Sequence, residues 1–135
     1  MKNILATILG IVLAGFTVHI FEAVIGHNLF TFPEGAKLDD MEWLKNNMDK
    51  IPIGSKIFVI IGHFLGIIVG MFVAAKISKS TLIPSYIAGG LMLLATYAVS
   101  FMLPKETWFL IADCGLAIIA FLLGKSLAKK QITNS

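Results

Sequence analysis

The most informative segment of this chain reads IFVIIGHFLGIIVGMFVAA and covers residues 57–75. It contains no Asp, Glu, Lys or Arg, and it is close to the run of about 20 apolar residues that an α-helix needs to cross a bilayer. Three further segments are also mainly apolar, at about 4–26, 82–103 and 108–124, and they contain only two charged residues, Glu22 and Asp113. The sequence therefore predicts an all-α integral membrane protein, built as a four-helix bundle in one domain.

The composition of the whole chain agrees with this class. Hydrophobic residues make up 57% of the sequence and charged residues 14%, against about 25% charged in an ordinary soluble domain. This composition excludes a soluble enzyme and a disordered chain. All 11 basic residues are lysine, so no arginine is present to read bases, and no nucleic-acid partner is expected. Membrane lipid is the expected partner, with a homo-oligomer or a partner membrane protein left open.

The lysines are distributed unevenly between the two ends of the predicted bundle. One end has lysines without neighbouring acids, namely Lys2, Lys76, Lys79, Lys125, Lys129 and Lys130. At the other end, lysines and acidic residues are mixed. Because cytoplasmic loops are enriched in lysine, this pattern predicts a bacterial cytoplasmic (inner) membrane protein with both termini in the cytoplasm. Residues 125–135 are then a cytoplasmic tail that frays.

The only long connection, at about 27–55, is predicted to lie on the outer side. Its apolar residues recur at roughly helical spacing, at Leu38, Met41, Leu44, Met48 and Ile51. Charged residues lie between them, and Asp39 with Glu42 fits a capping box. The pattern predicts a short amphipathic helix that lies on the outer surface or caps the bundle.

A row of small residues runs along the second predicted helix. Its members are Gly62, Gly66, Gly70 and Ala74. Small residues at every fourth position let another helix approach closely. Two interpretations stay open: the row packs against Ala6, Gly10 and Ala14 of the first helix, or it forms the seam of a homodimer.

Polar side chains from all four helices fall into one layer of the outer leaflet. His19 and Glu22 lie three residues apart and share a face of a regular helix, and His63 and Asp113 form a second plausible couple. At 1.5 Å per residue, Glu22 and Asp113 lie roughly 6–10 Å below the outer surface. Charged groups at such depth normally face the bundle interior and find partners.

Three interpretations of this layer remain. The groups form structural ion pairs, they line an outward-opening cavity for a small ligand, lipid or ion, or they bind a metal. The metal site would use His19, Glu22, His63 and Asp113, a donor set that suits zinc, iron or manganese. The candidate ligand-binding residues are His19, Glu22, His27, His63, Tyr97 and Asp113.

No set of residues forms a nucleophile with its base, and no catalytic residue is assigned. The leading hypothesis is a small non-enzymatic inner-membrane protein that binds a small ligand, lipid or ion, or a membrane partner. The alternatives are a membrane-embedded metalloenzyme and a structural accessory subunit of a larger complex. If each histidine compensates one carboxylate, loss of His63 is expected to destabilise the protein more than loss of Asp113.

The first part of the chain resembles a group of small bacterial four-span membrane proteins that have no assigned activity. The resemblance covers roughly the first 80 residues and is clearest at FEAVIGH, residues 21–27. It continues at Phe32-Pro33, at Ile51-Pro52 and in the glycine row. It implies that Glu22 and His27 belong to one feature at the outer end of the first helix.

Overall fold

The computed structural model describes residues 1–134, and its regular structure there is entirely helical. Ser135, the last residue of the predicted tail, lies outside the described residues. The long helices are the first (Lys2–Leu29), the second (Ile53–Ser78), the third (Ile83–Met102) and the fourth (Thr107–Thr133). Each is long and apolar enough to cross a membrane. The predicted all-α four-helix bundle is confirmed, and the protein is a multi-pass membrane protein.

The two ends of the bundle differ in the connections that they contain. At the end called here the loop end, residues 30–52 join the first two helices, and a short turn joins the third helix to the fourth. The opposite end, called the lysine end, contains the turn from the second to the third helix. There the second helix stops because Lys79 adopts a left-handed conformation, with φ of 62°, which ends a helix at its C-terminus.

The second helix is central and contacts the first, third and fourth helices. Its small-residue row lies against the first helix. A Cβ added at Gly66 would lie 3.0 Å from the carbonyl oxygen of Ala14, and one at Gly70 would lie 2.9 Å from the Cβ of Ala14. The two backbones approach this closely because the second helix has only glycine at these points, and the side chain of Val18 on the first helix fills the space beside Gly66, with its Cγ2 2.7 Å from a Cβ added there.

The interior has two apolar clusters at different depths. One lies at the loop end and contains Met48, Ile60 and Phe109. The other is formed by Ile67, Met71, Ala117 and Ala120. The first cluster joins the 30–52 connection to the second and fourth helices, so it holds this connection against the loop end of the bundle.

Two local details differ from the sequence predictions. The outer helix runs Met41–Asn47 and is capped by Asp40, whose carboxylate accepts hydrogen bonds from the backbone N–H groups of Glu42 and Trp43; the predicted cap, Asp39, is one residue too early. The fourth helix continues to Thr133, through most of the predicted fraying tail. Ala128 is fully buried there, and lysines near a helix C-terminus interact favourably with the helix dipole.

Candidate functional site

A cavity of about 460 Å³ lies at the loop end of the bundle. All four helices and the outer segment contribute to its walls. The apolar residues that predicted the amphipathic outer helix all line it, namely Leu38, Met41, Leu44, Met48 and Ile51. The 30–52 connection therefore turns its apolar face towards this cavity.

The first helix supplies two polar side chains to the cavity, Glu22 and His27. They lie in and beside a π-helical segment, Ile20–Gly26, which interrupts the α-helix after His19. Because a π-turn closes its hydrogen bonds over five residues rather than four, residues on either side of this change do not keep α-helical spacing. This explains why Glu22 lines the cavity while His19, which the sequence placed on the same face, is exposed.

The second and fourth helices meet through His63 and Asp113. The Nδ1 atom of His63 lies 2.7 Å from Oδ1 of Asp113, and the Asp113 side chain is fully buried. Towards a carboxylate, Nδ1 acts as the N–H donor, and in the tautomer with its single proton on Nδ1 the Nε2 atom is an acceptor. His63 lines the cavity, and its Nε2 has no hydrogen-bond partner among residues 1–134. The structure thus brings together the second couple that the sequence proposed.

Asp113 has two further partners that the sequence analysis did not assign to it. The ammonium of Lys105 lies 2.6 Å from its Oδ2, and the hydroxyl of Ser100 lies 3.3 Å from the same atom. Lys105 also donates to Ser100 over 3.0 Å and lies 4.4 Å from the ring centre of Phe109. The Lys105 side chain is only 1% exposed, so its charge is compensated inside the protein and not by water.

A second buried lysine pairs with a second acidic residue nearby. Lys56, in the first turn of the second helix, donates a hydrogen bond to Oε1 of Glu106, the residue that precedes the fourth helix. The Lys56 side chain is 3% exposed and that of Glu106 is 37% exposed. Burial raises the pKa of the Glu106 carboxyl, but the hydrogen bond and charge of Lys56 outweigh it, and the pKa is lowered from its usual value of 4.5.

The Glu106–Lys56 pair predicts a loss of stability in acid. A group whose pKa is lower in the folded state stabilises that state above its unfolded pKa, and this contribution disappears as pH falls through the folded value. We therefore expect the melting temperature in detergent to drop as pH falls below about 4.5. Glu106→Gln should remove part of this dependence, and Glu34→Gln, at an exposed position of the 30–52 connection, should not. Parallel curves for all three proteins would contradict the assignment.

The remaining predicted site residues lie elsewhere. Tyr97 does not line the cavity; its hydroxyl donates to the carbonyl oxygen of Cys114 over 3.4 Å. His19, Glu22, His63 and Asp113 are not gathered into one ligand set. Among residues 1–134, no three His, Cys, Asp or Glu side chains lie close enough together to hold a metal ion.

The sequence analysis missed the roles of Lys56 and Lys105, which it counted only as charges at the membrane edge. A signal for Lys105 was present, because it lies in the tight turn before the fourth helix, eight residues ahead of Asp113. A lysine side chain is long enough to reach the first turns of the next helix. No comparable local signal marks Lys56, whose partner is fifty residues away.

The chemistry of the cavity suits a molecule that is mainly apolar and has a polar group. Most of its lining is apolar, and the polar groups include Glu22, His27, His63 and Thr96. A cavity with this balance matches the usual character of a small-molecule site. The chain matches no protein-family model, no curated protein and no solved structure.

Proposed function

We propose that this protein is a non-enzymatic binding protein that takes a small, largely apolar molecule into the loop-end cavity. The observation that carries the proposal is the cavity itself. Its volume of about 460 Å³ lies within the range of about 300–1,000 Å³ that is typical of ligand sites. A bundle that needed only to fold would bring its helices together and fill this space with side chains.

We further propose that the cavity opens towards the outer side of a bacterial inner membrane. The support is the lysine distribution: the lysine end carries Lys2, Lys76, Lys79 and the last lysines of the fourth helix, which favours a cytoplasmic position. Both termini would then be cytoplasmic. A cysteine introduced at position 130 that reacted with an impermeant reagent outside intact cells would contradict this orientation.

A tryptophan placed in the cavity wall is expected to abolish binding. Ala95 of the third helix lines the cavity, and Ala98 of the same helix does not. We expect the wild-type protein in dodecyl maltoside to bind naphthylmethanol, a neutral probe with an aromatic body and one hydroxyl. Ala95→Trp should weaken binding at least about tenfold, or about 1.4 kcal/mol, because the indole occupies the cavity. Isothermal titration, with protein-free micelles as the blank, measures the effect.

Ala98→Trp is the matched control, since Ala98, like Ala95, is an exposed position on the same helix but does not line the cavity. It should bind the probe as the wild-type protein does. Equal binding by both variants would place the probe on the lipid-facing surface and contradict the proposal. No binding by the wild-type protein, with other membrane proteins co-purifying in fixed ratio, would favour the accessory subunit instead.

A further inference from the structure

We infer that the molecule bound in the cavity carries a positively charged amino group on an apolar body, and that Glu22 receives this group. The inference rests on the proposed function and names the chemical class of the ligand. Its basis is the set of polar groups on the cavity wall. Some of them are already paired within the protein, and the groups without an ion-pair partner include two carboxylates and no lysine.

The charges of the two lysines on the wall are already compensated by carboxylates of the protein. Lys105 is held by Asp113 and Ser100, and Lys56 is held by Glu106. Each ammonium thus has its own carboxylate, and both lysine side chains are almost completely buried. An anionic ligand would have to compete with these carboxylates for the lysines or lie beside the carboxylates, and both arrangements are unfavourable.

The carboxylates of the lining have no such compensation. Glu22 lines the cavity, and among residues 1–134 its carboxyl forms no ion pair and no side-chain hydrogen bond. Nε2 of His63 also has no hydrogen-bond partner, and it is an acceptor in the neutral tautomer that carries its proton on Nδ1, towards Asp113. Asp39 adds a further carboxylate to the lining. An ammonium group suits these partners. Its positive charge attracts the carboxylates, and it donates up to three hydrogen bonds to them and to Nε2.

Three probes that share one naphthyl body test this inference. They are naphthylmethylamine, naphthylmethanol and naphthoic acid, which are cationic, neutral and anionic near neutral pH. We expect the amine to bind about tenfold more tightly than the alcohol, and the acid to bind most weakly. Glu22→Gln should reduce the affinity for the amine about tenfold and that for the alcohol much less, because the glutamine oxygen still accepts a hydrogen bond but carries no charge. Glu34→Gln, at an exposed position outside the cavity lining, is the matched control and should not change either affinity.

The outcomes separate this inference from the proposed function. Retained binding of the alcohol by Glu22→Gln shows that the variant is folded and its cavity intact. Equal affinities for amine and alcohol would overturn the inference and leave the proposed function standing, as would tightest binding of the acid. An amine preference that survives Glu22→Gln would overturn the role of Glu22. No binding of any probe would overturn the proposed function itself.

An ammonium group reaches a membrane protein either on a free amine or on a lipid headgroup. Repeating the titration with phosphatidylethanolamine added to the micelles distinguishes these sources. Competition with naphthylmethylamine, absent when phosphatidylglycerol is added instead, would identify a lipid headgroup as the ligand. Lack of competition by either lipid, with the amine preference intact, would identify a free amphipathic amine.

Discussion

Asp113→Leu is expected to lower the free energy of unfolding by about 3–5 kcal/mol, the usual effect of removing one partner from a buried ion pair. Asp113 is the acceptor shared by His63, Lys105 and Ser100. Without it, the ammonium of Lys105 remains buried with no anion beside it. His63→Leu should cost less, because Asp113 keeps Lys105 and Ser100. This order reverses the expectation from the sequence, which paired Asp113 with His63 alone.

A double variant identifies the cause of this loss. Asp113→Leu combined with Lys105→Met removes both charges and should recover most of the lost stability, because an apolar replacement of a buried pair is often neutral or better. Lys37→Met, at an exposed lysine, is the control and should stay within about 0.5 kcal/mol of wild type. Equilibrium unfolding in mixed micelles measures all four proteins. Equal losses in the single and double variants would mean that Lys105 reaches water when Asp113 is absent.

Gly10→Ala is expected to cost about 1–3 kcal/mol, although it adds only one methyl group. A Cβ at Gly10 would lie 2.7 Å from the carbonyl oxygen of Gly70 and 3.0 Å from the Cβ of Ala74. Neither atom belongs to a side chain that can rotate away. The first and second helices must therefore move apart, and the close packing along the glycine row is weakened.

Gly90→Ala is the matched control for this packing. A Cβ at Gly90 meets no atom within 4 Å, and alanine is a better helix former than glycine by about 0.5–1 kcal/mol. Its melting temperature in detergent should be equal to or above that of the wild-type protein. A Gly10→Ala protein as stable as Gly90→Ala would show that the two helices are not held at this distance.

Helix class and number could be predicted from local sequence, because the length of an apolar run and the spacing of apolar residues are local properties. The same reasoning found the stripe from Leu38 to Ile51 before the cavity that it lines was known. It also paired His63 with Asp113, since both residues are polar groups at a similar predicted depth. In each case the prediction needs only the residue spacing within one helix, or the depth of a residue along its helix.

The membership of the site depended on tertiary structure. A lysine near the membrane edge can extend to water or turn inward, and only the position of the neighbouring helices decides between these conformations. Lys105 and Lys56 turn inward because Asp113 and Glu106 lie within reach. The separation of His19 from Glu22 arises from the π-helical segment that begins at Ile20. α-Helical periodicity does not hold across such a change. The sequence determined that polar groups form one layer, and the packing of the helices determined which of these groups face the cavity.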